Sequence, residues 1–129
     1  MLDSLRQRHG YALLWDAHSI TSKLPALFDG ELPVLNIGTY DGRSCDLPRA
    51  EAVAEVAGKS AYSTVVNGRF KGGYITRHYG DPASDIHAIQ LEIAQRAYMD
   101  EASTAFDELL ASQLRDTLRR MMVAFTMRA

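Results

Sequence analysis

The stretch Ile86-His-Ala-Ile-Gln-Leu-Glu-Ile93 has the pattern of a β-strand that contributes to a protein interior. Strand side chains alternate between the two faces of a sheet, so Ile89, Leu91 and Ile93 share one face while Gln90 and Glu92 share the other. The second face is therefore not a dry core. Glu92 is either an edge-strand carboxylate that faces water or a carboxyl group in a cleft, where desolvation would raise its pKa and suit it to general acid and base chemistry.

Outward from this strand, the chain alternates between helical and extended patterns. Gly10 ends the first helical pattern, Pro48 begins the second, and a capping box of Thr104 with Asp107 begins the last. The alternation predicts a single α/β domain, residues 1–129, in which a layered mixed sheet has flanking helices. The predicted helices are Leu2–His9, Pro48–Ala57 and the stretch from Thr104 to Phe125, and the other predicted strands are Tyr11–Trp15, Val34–Ile37, Tyr62–Val66 and Tyr74–His78.

The composition argues against several classes of protein. The 129 residues carry 14 basic and 16 acidic side chains, and the lysines and arginines are scattered, so no basic surface for nucleic acid is expected. No apolar run approaches the roughly 20 residues that cross a bilayer, and the stretch from Met1 to Gly10 is too charged for a signal peptide. The single cysteine, Cys45, fits a reducing compartment. We therefore expect a cytoplasmic protein that binds neither nucleic acid nor a membrane.

The segment Asp16-Ala-His18-Ser19 is the first candidate for a functional site. It follows the apolar run Tyr11–Trp15, which predicts a strand buried on both faces, and ligand sites of open α/β sheets lie beyond the ends of such strands. One ring nitrogen of His18 could bind a metal while the carboxylate of Asp16 holds the other. The alternative is an exposed loop histidine beside an aspartate that caps a helix or a turn. Catalytic zinc takes three protein ligands, so His18 alone is not a zinc site.

A group of cationic side chains lies near predicted turns. Arg43 is in the polar turn after the second strand, Arg69 and Lys71 lie in the glycine-framed segment from Asn67 to Gly73, and Arg77 follows on a predicted strand. Arginine binds carboxylates through paired N–H groups, and glycines allow a ligand to approach the backbone closely. The group favours a small anionic substrate, although each cation taken alone is equally explained as a solvated surface charge.

Several longer motifs of the chain point to one family when they are read together. The motifs are Trp15-Asp-Ala-His-Ser-Ile20, Leu35-Asn-Ile-Gly-Thr39 with Asp41-Gly-Arg-Ser44, Asn67-Gly-Arg-Phe-Lys-Gly-Gly-Tyr-Ile-Thr-Arg-His-Tyr-Gly80, and Ile86-His-Ala-Ile-Gln-Leu-Glu-Ile93 followed by Tyr98-Met-Asp-Glu101. In these motifs the chain resembles the C-terminal half of the N-formylglutamate amidohydrolases. This resemblance implies a zinc-type hydrolase, related in fold to the metallocarboxypeptidases, that cleaves N-formyl-L-glutamate to formate and L-glutamate in histidine degradation.

The resemblance also implies roles for individual residues. His18 corresponds to the last of the metal ligands, and Asp16 is its hydrogen-bonding partner. Glu92 corresponds to the general base that activates water and then returns the proton to the leaving amine. The substrate carboxylates would be held by three arginines, which are Arg43, Arg69 and Arg77.

Family members are about twice as long as this chain, and their N-terminal half supplies the earlier histidine and acidic metal ligands. We therefore expect a truncated chain that is inactive as an isolated monomer and that self-associates or pairs with a complementary N-terminal half. An exposed sheet edge near Leu13 and Trp15 would drive such association. The alternative is a non-catalytic remnant, or a module that binds small acidic ligands without a metal.

Overall fold

A computed structural model describes residues 1–127 as helices packed on a small mixed sheet. No helix among these residues has both the length and the apolar character that crossing a membrane would require. Single turns of 3₁₀ helix occupy Pro82–Ser84 and Gln95–Ala97. The main elements are α1 (Leu2–His9), β1 (Ala12–Ile20), β2 (Leu35–Gly38), α2 (Leu47–Gly58), β3 (Thr64–Val66), α3 (Tyr74–Tyr79), β4 (Ile86–Ala94), β5 (Met99–Asp100), β6 (Ala105–Phe106) and α4 (Glu108–Thr126).

The main sheet has four strands in the order β1-β4-β2-β3. β4 runs parallel to β1 and antiparallel to β2, and β2 runs parallel to β3. The predicted mixed sheet is confirmed. All nine residues of β4 are buried because this strand lies in the interior of the sheet. Strands β5 and β6 form a separate antiparallel pair.

The two faces of the sheet have different chemistry. The face that carries Ile89, Leu91 and Ile93 packs against α2 and α4, as the strand alternation predicts. This face and the two helices form the hydrophobic core, whose largest contribution to stability comes from apolar surface removed from water. The buried residues of this core include Leu35, Ile37, Val53, Ala57, Leu114, Met121 and Phe125.

The helix ends follow the local chemistry of the chain. Gly10 adopts a left-handed φ of 82° after α1, as its position predicts. Asp46 begins α2 by accepting a hydrogen bond from the backbone N–H of Arg49, and Pro48 lies in the first turn. Arg49 is buried, and its Nη1 donates to the carbonyl oxygen of Phe125 at 3.0 Å. This bond ties the start of α2 to the last turn of α4.

β1 differs from the predicted strand in length and burial. It continues through Asp16 and His18 to Ile20, although the apolar run ends at Trp15. The polar residues remain extended because each of the nine positions pairs with β4. The prediction of burial on both faces is wrong, since β1 is an edge strand and only Ala12 is fully buried. Asp16 and His18 therefore lie within the strand and not in a loop beyond it.

Two further local predictions are wrong. The stretch Tyr74–Tyr79 is the short helix α3 and not a strand, because Gly73 in an extended conformation begins a helical turn and Thr76 faces the interior. The N-cap of α4 is Asp107, whose carboxylate accepts from the backbone N–H of Leu110 at 3.0 Å, and not Thr104. Thr104 instead has a positive φ of 61° in the turn that joins β5 to β6.

Candidate functional site

The candidate site lies on the sheet face opposite to α2 and α4, where β1 and β4 run side by side. In their parallel register, Asp16 lies beside Gln90, and His18 lies beside Glu92. Residues in register point to the same face, so these four polar side chains share one surface. They line a pocket of about 470 Å³ together with residues 69–75. The structure thus brings the predicted metal ligand and the predicted general base into one pocket.

Asp16 orients the ring of His18. The two residues are separated by one position along β1, so both side chains point to the same face. The Nε2 atom of His18 lies 2.8 Å from Oδ1 of Asp16. The other oxygen of Asp16 accepts a hydrogen bond of 3.3 Å from Oγ1 of Thr76, which is fully buried in α3. With Nε2 engaged in this way, Nδ1 is the ring nitrogen that remains for another ligand.

Glu92 is almost fully buried, with 8% of its surface exposed. It lies in the interior strand β4, between His18 of β1 and Asn36 of β2. Of the two alternatives for Glu92, the edge-strand carboxylate that faces water is therefore excluded. Burial raises the pKa of Glu92 above its usual value, the cation that His18 can form opposes this shift, and the Asp16 carboxylate adds to it. A carboxyl group in this setting can hold and release a proton nearer to neutral pH.

The glycine-framed segment is held against the sheet at two points. A Cβ atom added to Gly38 would lie 2.6 Å from the carbonyl carbon of Lys71 and 2.7 Å from the nitrogen of Gly72. Only glycine allows so close an approach of two backbones. The N–H of Gly73 also donates to Oε1 of Gln90 at 2.6 Å. The segment therefore forms a fixed part of the pocket lining.

Two of the cationic residues, Arg69 and Lys71, line the pocket. Nε of Arg69 donates to the carbonyl oxygen of Leu27 at 2.5 Å, which positions the guanidinium group. Nζ of Lys71 forms an ion pair of 3.2 Å with the carboxylate of Asp41. Lys71 and Asp41 are about half exposed, so water screens this pair and the lysine can exchange it for an anionic ligand.

Arg43 and Arg77 are not among the residues that line the pocket. Their guanidinium carbons lie 4.7 Å and 5.9 Å from the ring centre of Tyr40, so both cations contact one aromatic ring. Nε of Arg77 also lies 3.3 Å from the carbonyl oxygen of Gly73, which does line the pocket. The structure thus separates the predicted arginines into Arg69 at the pocket and a pair that stacks on Tyr40.

Comparison of the sequence and the fold with known proteins identifies the family of this chain. The sequence profile described as N-formylglutamate amidohydrolase matches residues 1–99. This chain belongs to the N-formylglutamate amidohydrolase family. It is 54% identical over 125 residues to the N-formylglutamate deformylase of Pseudomonas putida and equally identical to that of Pseudomonas aeruginosa.

The matches to this family cover almost all of the chain but only part of each relative. The alignment with the P. putida deformylase covers 95% of this chain and 47% of the relative, so the chain spans about half the length of the curated proteins it matches. The crystal structure of N-formylglutamate amidohydrolase from Ralstonia eutropha superposes with a TM-score of 0.80 at 25% identity. That match covers 95% of this chain and 45% of the other. The predicted likeness to the C-terminal half of the amidohydrolases is confirmed as to family and length.

Gln90, which lines the pocket, and Thr76, which supports it from behind Asp16, were not among the site residues predicted from sequence. Gln90 lines the pocket beside Glu92, and the strand alternation that selected Glu92 would also have selected it. Thr76 holds Asp16, but no local signal could have shown this contact, because the residue lies 60 positions along the chain.

A second cluster of candidate metal ligands lies elsewhere in the structure, and none of its residues lines this pocket. The cluster contains one donor atom from each of Cys45, Asp46 and His87, and these atoms lie within 4.8 Å of one another. Each group has another role in the structure, however. Nδ1 of His87 accepts the backbone N–H of Asp46 at 3.2 Å, and the Asp46 carboxylate caps α2 and lies 3.7 Å from Nε of Arg49.

The electrostatics of this cluster also disfavour a cation. Burial, followed by the charge of Asp46, raises the pKa of the Cys45 thiol to about 12, whereas a metal-binding thiol must lose its proton. Burial lowers the pKa of His87; the Asp46 carboxylate opposes this shift and Arg49 adds to it. The three side chains can approach a metal, but their hydrogen bonds and the Arg49 cation fit a structural role better.

The fit of the main pocket to a catalytic zinc ion is partial. His18 offers one imidazole nitrogen with a carboxylate that fixes the ring, which is the usual arrangement around a zinc-binding histidine. Within residues 1–127, Asp16, His18 and Glu92 do not form a close three-donor cluster. The described residues therefore supply one part of a zinc site, and catalytic zinc takes three protein ligands.

Proposed function

We propose that this chain carries one part of an active site that hydrolyses the formamide bond of N-formyl-L-glutamate to formate and L-glutamate. The observation that carries the proposal is the placement of Glu92 and His18 in register on one sheet face, in a pocket that Arg69 and Lys71 also line. Because the described residues supply one part of a zinc site, the proposal includes further ligands from a complementary N-terminal half. The proposal includes a role in histidine degradation and a cytoplasmic location.

Glu92 acts as the proton carrier of the reaction. Its carboxylate takes a proton from the attacking water, whose oxygen forms a bond to the formyl carbon. The same carboxyl group then delivers that proton to the nitrogen as the C–N bond breaks, which releases formate and the free amine. The raised pKa of Glu92 supports this cycle, because the carboxyl group must both accept and release the proton.

His18 contributes one metal ligand through Nδ1, while Asp16 holds Nε2 and fixes the ring. The remaining ligands come from a complementary N-terminal half. When zinc is bound, it supplies Lewis acidity to the formyl carbonyl group and to water. Arg69 and Lys71 attract the carboxylates of the substrate, and Arg43 and Arg77 add positive charge around Tyr40.

The test replaces Glu92 by glutamine, which keeps the shape and removes the basic oxygen. Formate release from N-formyl-L-glutamate is measured with zinc present, for the chain alone and for the chain mixed with the N-terminal half of the P. putida deformylase. We expect Glu92→Gln to lower the rate by about 10²- to 10⁴-fold, the range for loss of a general base. Glu51→Gln, at an exposed position of α2, is the matched control. Equal, measurable rates of formate release by the Glu92→Gln and unmodified mixtures with the N-terminal half would exclude the proposed role.

The second candidate is a module that binds small acidic ligands without a metal. The observation in its favour is that the described pocket combines cationic side chains with only one imidazole, that of His18, and without a close cluster of three metal donors. Elemental analysis of the purified chain separates the two functions. Stoichiometric zinc that is lost in His18→Ala supports the hydrolase, whereas binding of dicarboxylates without zinc and without formate release supports the binding module.

A further inference from the structure

Gln90 has a fixed amide group at the floor of the pocket. The residue is 5% exposed and lies on β4 between Asp16 of β1 and Gly38 of β2. Its Oε1 accepts the backbone N–H of Gly73 at 2.6 Å. Because an N–H group needs an oxygen acceptor, this bond defines which end of the amide is Oε1 and which is Nε2.

The other end of the amide, Nε2, makes no hydrogen bond to another residue in the part of the chain from 1 to 127. Nε2 is not one of the fully enclosed side-chain atoms that lack a partner, so this amide donor is open to the space of the pocket. The side chain is more than nine-tenths buried, and the free space that it borders is the pocket itself. A ligand atom that accepts a hydrogen bond would satisfy this donor.

We propose that Nε2 of Gln90 binds a carboxylate of the amino-acid substrate and so helps to select dicarboxylic N-formyl amino acids. This inference rests on the proposed function. Gln90 and Glu92 are two residues apart on one strand face, which separates them by about 7 Å. A formamide group held at Glu92 and His18 therefore leaves the carboxylates of the same molecule several bonds away, within reach of Gln90.

Cationic side chains near Gln90 can balance the charge of a carboxylate ligand. Arg69 and Lys71 line the same pocket, which Asp16 and Glu92 also line. The oxygens of Asp16 hold His18 and Thr76, and neither oxygen is hydrogen-bonded to Gln90. A hydrogen bond from an amide to a carboxylate is also stronger than one to a neutral acceptor.

The test compares Gln90→Glu with Gln90→Met. Glutamate keeps an oxygen that can accept from the N–H of Gly73 but replaces the amide donor by a negative oxygen. Methionine has a similar length and removes both groups. The probe is glutarate, which carries two carboxylates and no formamide, and formamide itself is the control. Affinity is measured by calorimetry, and the side-chain amide of Gln90 is followed by ¹H–¹⁵N NMR.

We expect glutarate, and not formamide, to shift the Gln90 side-chain amide signals. Gln90→Glu should weaken glutarate binding by at least about ten-fold, the order expected for loss of a hydrogen bond to a charged group. A glutarate affinity of Gln90→Glu equal to that of the unmodified chain, with only Gln90→Met impaired, would show that Gln90 merely holds Gly73. That result, or no binding of glutarate by the unmodified chain, would overturn the inference.

The inference and the proposed function can fail separately. Gln90-dependent binding of glutarate without any formate release, even with the N-terminal half added, would reject the hydrolase and keep the carboxylate site. Formate release by Gln90→Glu with an unchanged KM would reject the carboxylate site and keep the hydrolase. If both hold, Gln90→Glu raises KM by at least about ten-fold, since the substrate carboxylate loses its amide donor.

Discussion

The carboxyl group of Glu92 acquires its properties from residues that are remote in the sequence. The alternation in β4 predicts which face it occupies, but that face could equally have been solvated. Burial between β1 and β2 raises its pKa, and the partners that modify the shift, His18 and Asp16, lie on another strand. Residue identity therefore defines the chemistry that is available, and strand pairing defines whether it can be used.

His87 gives a pH-dependent contribution to stability. Burial lowers its pKa below the ordinary value of 6.5, and Arg49 adds to this effect while Asp46 and Asp85 oppose it. Between the pKa of His87 in the folded state and 6.5, the unfolded chain binds more protons than the folded chain does. The stability that neutral, buried His87 contributes is therefore complete above pH 6.5 and is lost as the pH falls. We expect the free energy of unfolding, measured in urea, to rise less between about pH 5 and pH 7 in His87→Asn than in the unmodified chain. Equal slopes would contradict this expectation.

At the scale of elements, the N-cap of α4 can be tested by mutation, because the sequence and the structure indicate different capping residues. Asp107 accepts from the N–H of Leu110, whereas Thr104 lies in a turn with positive φ. We expect Asp107→Ala to lower the free energy of unfolding by about 1 kcal/mol, as loss of an N-cap does. Thr104→Ala should change it by less than about 0.5 kcal/mol, the usual size for an exposed site. Urea denaturation of both variants decides the matter, and the opposite order would favour the capping box predicted from sequence.

The docking of the glycine-framed segment on β2 depends on Gly38. A Cβ atom at this position would overlap the backbone of Lys71 and Gly72, and backbone atoms cannot move aside cheaply. Gly38→Ala should therefore destabilise the fold by about 1–3 kcal/mol, as overpacking does. It should also weaken glutarate binding, because the segment lines the pocket.

The matched control for Gly38→Ala is Gly58→Ala. A Cβ atom at Gly58 would meet nothing within 4 Å, and the residue is the last of α2. Alanine there should be neutral or stabilise the helix by up to about 1 kcal/mol, since alanine favours helix more than glycine does. Thermal or urea unfolding of the two variants compares them directly, and equal losses of stability would contradict the role given to Gly38.

At the scale of the whole molecule, β1 is the longest exposed edge. It pairs with β4 along nine residues, and its outer side pairs with no strand among residues 1–127. Exposed edges of this kind pair with other chains, so we expect the protein to self-associate as its concentration rises. Ala17→Lys, at an exposed position of β1, should shift sedimentation toward monomer without loss of stability. A compact monomer whose sedimentation does not change with concentration would contradict this prediction.

The sequence by itself determined the alternation of helices and strands, the mixed sheet, the face shared by Gln90 and Glu92, and the family. Each of these features depends on local periodicity, on the conformational preferences of glycine and proline, or on contiguous sequence motifs. Only the tertiary structure decided that Tyr74–Tyr79 is a helix, that β1 extends through His18, and that Arg43 and Arg77 stack on Tyr40 outside the pocket lining. These features depend on contacts between segments that are far apart in sequence, and the burial that tunes Glu92 has the same origin.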